Sequence, residues 1–227
     1  MTPAFDEITP HPESLDADDE LELIHERAYI VRAYRKGDDV LVLRGSVRDQ
    51  KPPGLYLAED PDPLTIHHMI VDLHVQVPSL EIVAAEVVFE VHPHTICPTI
   101  AENYRGLIGL SIARGFINRV REMYGGPRGC SHTTALLQAM APVAIQSMWS
   151  FQMRQAQQSG AGAQSPFSSP EGRERSLTMN LNTCHVWAED GEQIRTIREG
   201  GQPEVPVWIQ QRFAQLGLDP EEWRNRG

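Results

Sequence analysis

The sequence predicts an α+β fold, an antiparallel sheet covered by helices, and two successive hydrophobic patterns carry that expectation. Up to about residue 91 the longest apolar stretches alternate with polar residues, the period of half-buried strands. From residue 111 onward the apolar residues recur at helical spacing instead. Glycine- and proline-rich breaks punctuate both halves at the places where such elements end.

Taken in order, residues 22–36 and 40–47 are rich in Val, Leu and Ile and flank Gly37-Asp38-Asp39, so they read as a hairpin. Lys51-Pro52-Pro53-Gly54 and Asp60-Pro61-Asp62-Pro63 then break the pattern. Segments 66–77 and 81–91, joined across Pro78-Ser79, are the clearest strands and are expected to pair antiparallel. On the first, His68, Ile70, Asp72 and His74 share one face, while His67, Met69, Val71, Leu73 and Val75 share the other. His92 to Pro98 forms an irregular corner. Residues 111–124 then read as a helix through Ile112, Phe116, Val120 and Met123.

After the Gly125–Gly129 break a long helix runs from Ser131 to about residue 157, with Pro142 inside it. Its Leu136, Met140 and Val143 stripe is expected to lie on the sheet. Residues 158–172 read as a mobile linker, 177–187 as extended or ambiguous, and 206–216 as a last helix stopped by Gly217. The expected organisation is therefore an acidic, partly disordered arm over 1–20, one domain over 21–188, and an extension over 189–227 whose helix packs on the domain.

The net charge of −11 is concentrated: residues 1–26 hold nine acids and no Lys or Arg, leaving 22 acids against 20 bases elsewhere. A nearly balanced body beside an acidic arm lacks the basic footprint that nucleic-acid binding needs. No apolar run reaches the roughly 20 residues of a membrane helix, and the first residues do not read as a signal peptide. The expectation is a cytoplasmic protein acting on a small molecule, with no nucleic-acid or membrane partner and with homo-oligomer formation left open. Three cysteines are too few and too odd for a disulfide framework.

Those cysteines keep company with histidines. Cys97 ends a His/Pro corner, Cys130 opens a helix with His132 two residues on, and Cys184 abuts His185. His67 and His68 begin the longest strand. Thiolate and imidazole are zinc ligands and, with thiolate dominant, iron–sulfur ligands. The expected metal set is His67, Cys97, Cys130 and His132, for zinc or iron, and a site without any ion is an equal alternative. Cys184 is expected within reach of it.

The expected catalytic groups are His67, His132, Cys130 and Tyr104. A helix N-terminus favours the thiolate of Cys130, and the glycines at 125, 126 and 129 suit an anion-binding nest, or else form a tight connection with Cys130 as a small residue packed under it. Tyr104 offers a phenol as acid or donor, or is simply a packing residue. His68, Asp72 and His74 read as an acid–base row or as a solvated strand face. Arg119 and Arg121 read as solvent-facing, and Met140, Met148, Met153 and Trp149 as core.

The patterns Ile66-His67-x-Met69, Cys97-Pro98, Tyr104-Arg105-x-Leu107-x-Gly109 and Gly115-Phe116-x-x-Arg119-Val120-Arg121-Glu122 resemble a bacterial family of unknown function. So do Gly125-Gly126-x-x-Gly129-Cys130-x-His132 and Asn182-x-Cys184, and the resemblance spans about residues 22–188. Ser131-His132-Thr133-Thr134 stands where that pattern has Thr-His-Leu-Thr. The resemblance implies an accessory of aromatic or acyl-CoA catabolism.

The chain is also distantly similar to the iron–sulfur scaffold fold of the IscU/SufU/NifU type. That likeness places His67, Cys97 and Cys130/His132 at the scaffold's ligand positions, and Met69 where the scaffold carries an aspartate. The functional expectation is an enzyme of lyase or hydrolase type with a Cys/His pocket. The alternative is a non-enzymatic metal or iron–sulfur carrier.

Overall fold

The computed structural model describes residues 22–113, 115–159, 167 and 169–225. The acidic arm expected over 1–20 lies outside the described residues, as does most of the expected linker. Two compact units divide the chain, Met1–Ile145 and Gln146–Gly227. The division falls inside a helix, whereas the sequence reading placed the boundary after residue 188.

The first unit is built on a four-stranded antiparallel meander in the order β1-β2-β3-β4. Its strands are β1 (Glu26–Lys36), β2 (Val40–Lys51), β3 (Leu64–Gln76) and β4 (Glu81–Val91). The Gly37-Asp38-Asp39 turn joins β1 to β2, with Gly37 in the left-handed region at φ 64°. Both expected hairpins are present, and β3 pairs with β4 antiparallel.

Alternation decides which face is covered. Leu41, Leu43, Gly45, Val47 and Asp49 of β2 are buried, as are Met69, Val71, Leu73 and Val75 of β3, whose face also carries His67. The opposite face carries Arg44 and Asp72, directly paired in the register and hydrogen-bonded at 2.7–3.1 Å. That pairing gives the His68/Asp72/His74 row its solvated-face reading, with Asp72 held as a surface ion pair of small energetic weight. Segment 109–112 continues the sheet at the start of β4, through Ile82 N–H to Leu110 O and Ile112 N–H to Leu80 O, each 2.8 Å.

The helices of this unit are α1 (Phe116–Tyr124) and, up to Ile145, α2 (Ser131–Ser159), preceded by a run of 3₁₀ turns over Cys97–Leu107. Buried residues on α2 follow the helical stripe: Leu136, Leu137, Met140 and Ala144. The stripe meets the sheet at Gly45, where an added Cβ would stand 2.8 Å from the Met140 sulfur and 3.1 Å from Leu136 Cδ1. Glycine in mid-strand thus lets the helix backbone approach β2, as the expected packing of Leu136 and Met140 requires. Pro142 lies on the exposed side and does not end the helix.

The second unit holds α3 (Pro170–Asn180), α4 (Glu192–Arg198) and α5 (Val207–Leu216). The segment beginning at Leu177, read as extended or ambiguous, starts as the end of α3. That helix is nucleated by Ser169, whose hydroxyl accepts the Gly172 N–H at 3.0 Å, with Pro170 in the first turn. Gly217 caps α5 in the left-handed conformation, as expected. Val205, Ile209 and Phe213 form a small core with Leu218 and Trp223. Among the described residues no helix is long and apolar enough to cross a membrane.

Candidate functional site

Period-2 alternation places Asp49 at the end of β2's buried face, opposite His67 in the β2–β3 register and opposite Arg27 in the β1–β2 register. A carboxylate only 2% exposed needs partners, and it has them. Arg27 donates from Nε to Oδ1 at 2.5 Å and from a terminal nitrogen to Oδ2 at 2.7 Å, a two-point clamp. His25 Nε2 lies 3.7 Å from Oδ1. From the helix side, His132 Nε2 donates to Oδ2 at 3.0 Å. His67 Nδ1 stands 3.2 Å from the same oxygen but off the hydrogen-bond direction, and this buried nitrogen has no hydrogen-bond partner. The two imidazoles stack with ring centroids 4.0 Å apart.

The other ring nitrogen of His132, Nδ1, faces the Cys130 sulfur at 3.8 Å. Cys130, His132 and Asp49 therefore form a continuous row of thiol, imidazole and carboxylate. Its helical end rests on the residue types around the first turn of α2. The Thr134 N–H bonds to the Cys130 carbonyl at 2.9 Å, which makes Cys130 the residue before the first turn and aims its sulfur at the free amides there.

Tyr104 holds that residue from beneath. Its hydroxyl accepts the Cys130 N–H at 2.7 Å and donates to the Cys130 carbonyl at 3.3 Å. The ring, 1% exposed, stacks on Tyr124 at 4.5 Å. The hydroxyl of Tyr104, expected among the catalytic groups, is thus engaged both as donor and as acceptor by the Cys130 backbone.

The glycine-rich break is also a matter of space rather than of an anion nest. Only Gly126 is left-handed, at φ 60°. A Cβ on Gly129 would meet the Tyr124 carbonyl oxygen at 2.6 Å and the Tyr104 hydroxyl at 2.9 Å. Close passage over the two tyrosines is what lets Cys130 and His132 reach the sheet.

Electrostatics follow from this packing. Burial acts to raise the Asp49 carboxyl, but the hydrogen bonds and charge of Arg27, with His132, outweigh it and bring it down to about 2. Burial and then the neighbouring His132 hold His67 below the usual histidine range, against the pull of Asp49. His132 is raised, chiefly by its hydrogen bond to Cys130. Burial pushes the Cys130 thiol up, yet the His132 ring, the Thr133 N–H and hydroxyl and the His132 N–H together bring it to about 7. In chelator-treated protein we expect the alkylation rate of Cys130 to rise with an apparent midpoint about 7, against about 9 for an ordinary thiol. Peptide-resolved mass spectrometry across a pH series measures it, and a midpoint at the ordinary value would contradict the assignment.

The structure brings His67, His132 and Cys130 together as the sequence predicts. It differs over the ligand set: the donor atoms that converge within 4.8 Å belong to Asp49, His67 and His132, and Cys97 and Cys130 are outside that group. Cys130 is excluded because it faces the opposite nitrogen of His132. Cys97 is half-buried at the start of the 3₁₀ run. Cys184 is an exposed thiol of the second unit, and the site is described from the first unit alone.

The sequence pattern, with its second strand ending at residue 47, does not reach Asp49, and His25 and Arg27 join it only through the β1–β2 side of the sheet. Extending the alternation of Leu41, Leu43, Gly45 and Val47 by one step reaches Asp49. Arg119 pairs with Glu122 at 3.1 Å, and Arg121 donates to Gln138 at 3.2 Å, so both serve the surface as expected. A shallow depression in the second unit, lined by Pro170, Glu171, Glu174, Arg175, Thr178 and Met179, contains no comparable chemistry.

Residues 25–146, more than half of the chain, match the model of a family described as a protein of unknown function (DUF2889). No curated protein and no solved structure matches the chain.

Proposed function

The chain belongs to that family of unknown function, and on this premise we propose that it is an enzyme of small-molecule catabolism, of lyase or hydrolase type, working through Cys130, His132 and Asp49. One observation carries the reading: the unbroken row from the Cys130 sulfur through both nitrogens of His132 to a carboxylate clamped by Arg27. A thiol beside an imidazole that is itself oriented by a buried acid is the arrangement that activates a nucleophile. On a small acyl compound, the Cys130 thiolate attacks the carbonyl carbon and the C–S bond forms. The bond to the leaving group then breaks as the His132 imidazolium gives it a proton. Water, deprotonated by the same imidazole, cleaves the thioester and restores the thiol. In the lyase version the same imidazoles move protons during C–C cleavage. His67, stacked on His132, bounds the site from the sheet side. The resemblance to accessories of aromatic and acyl-CoA catabolism suggests the substrates to try first. Three free thiols suit a reducing compartment such as the cytoplasm.

The carrier reading, with its scaffold-type likeness, has less support. Iron–sulfur clusters are held mainly by thiolates, and the converging donors here are one carboxylate and two imidazoles.

The test is covalent trapping. Protein mixed with a panel of aryl and acyl thioesters, then quenched in acid, should carry an acyl adduct on Cys130 and release free thiol. The Cys130→Ser variant should do neither at a comparable rate. Turnover that persists undiminished in Cys130→Ser would overturn the proposal.

A further inference from the structure

We propose that Asp49, His67 and His132 form a binding site for one divalent transition-metal ion, of the zinc or ferrous class, with no cysteine among its ligands. Oδ2 of Asp49 lies 3.0 Å from His132 Nε2 and 3.2 Å from His67 Nδ1, and one donor atom from each residue falls within 4.8 Å of the others. Around an ion with bonds of about 2.0–2.1 Å, tetrahedral ligand atoms stand about 3.3 Å apart. The Asp49 oxygen needs to part from each imidazole nitrogen by only a few tenths of an ångström to reach that spacing.

The orphaned nitrogen is the second observation. His67 Nδ1 is buried, close to a carboxylate, and bonded to nothing, a costly state that a metal bond would relieve. A third is the setting of the ligands. His132 would hold the ion with Nε2 while Nδ1 faces the Cys130 sulfur, and Arg27 would keep the carboxylate in place from behind. Both are the outer contacts that orient metal ligands. Two imidazoles and one carboxylate leave at least one coordination position for water or a substrate oxygen.

The inference goes beyond the functional reading and shares two of its residues: the ion would take the place of the hydrogen bond between His132 Nε2 and Asp49, while the thiolate keeps Nδ1. Metal binding can fail while the Cys130 adduct still forms, and the reverse also holds.

Purified protein stripped with chelator and titrated with Zn²⁺ in a calorimeter should bind one equivalent per chain. His67→Gln and Asp49→Asn should each weaken binding at least about 100-fold. Cys97→Ala and Cys184→Ala should leave it unchanged, and Cys130→Ser should keep it within about tenfold. Because Asp49→Asn disturbs a buried pair and can impair folding, His67→Gln is the deciding variant, with circular dichroism as the folding check. Substitution with Co²⁺ should give visible ligand-field bands without the near-ultraviolet band of cobalt–thiolate bonds. A thiolate band, an affinity untouched by His67→Gln, or no stoichiometric binding would each overturn the proposal.

Discussion

Replacing Arg27 with Met is expected to lower the unfolding free energy by about 2 kcal/mol at neutral pH. The Asp49 carboxyl sits at about 2 in the folded chain against an ordinary 3.8, so the folded state binds its anion in preference. A folded-state value below the unfolded one contributes stability that is complete above about pH 4 and is lost as pH falls toward 2. Burial opposes the anion, and Arg27 is the largest influence in its favour. Removing the guanidinium leaves a carboxylate that is 2% exposed with only the imidazoles to face it. Partial exposure of Arg27 keeps the effect below the 3–5 kcal/mol of a fully buried pair. Urea unfolding at several pH values checks the sign. The gap between wild type and Arg27→Met should narrow as pH falls toward about 2, where Asp49 is protonated in folded wild type as well. A gap independent of pH would mean that Arg27 stabilises by packing alone.

The second large effect concerns reactivity. His132→Gln is expected to slow alkylation of Cys130 at neutral pH by about ten- to fiftyfold in chelator-treated protein. With the thiol at about 7 roughly half is thiolate at neutral pH, whereas a thiol at about 9 would be about one-hundredth ionised. The amides at the start of α2 remain in the variant, so the loss falls short of the full ratio. Parallel rates for Cys97 and Cys184 in the same digest supply the control, and both should be unaffected by the substitution.

Much of this site could be read from the sequence, and the parts that could not have physical reasons. His67 announces itself by parity, since it shares a face with Met69, Val71, Leu73 and Val75. Cys130 and His132 follow a glycine-rich break at the head of a long apolar helix, and that combination is local. Asp49 belongs to the same alternation as Leu43 and Val47, but a charged residue near a strand's end reads as solvated unless the strand is carried two residues further. Arg27 has no such signal. Its strand alternates weakly, and it meets Asp49 only through the β1–β2 register, a non-local pairing.

The expected cysteine ligands failed to join the group for a related reason. Spacing along the chain shows that Cys130 and His132 are neighbours, but not that the imidazole turns one nitrogen to each side. At Tyr104 the residue type suits either chemistry or packing, and the structure adds its burial and the close passage of Gly129, neither of which is visible along the chain. In the second unit α3 begins at Pro170, inside the stretch whose glycine- and serine-rich composition reads as linker, and Ser169 caps it.

The coupling of Asp49, His132 and Cys130 into one row can be observed directly at the imidazole nitrogens. Long-range ¹H–¹⁵N spectra of chelator-treated, histidine-labelled protein should show His132 Nε2 protonated throughout the neutral range, as its bond to Asp49 requires. Its Nδ1 resonance should move in the same pH transition as Cys130 alkylation, the behaviour of two groups that share a proton. In Cys130→Ser that shared transition should disappear. A His132 that titrates alone near the ordinary value of about 6.5, identically in wild type and Cys130→Ser, would contradict the account.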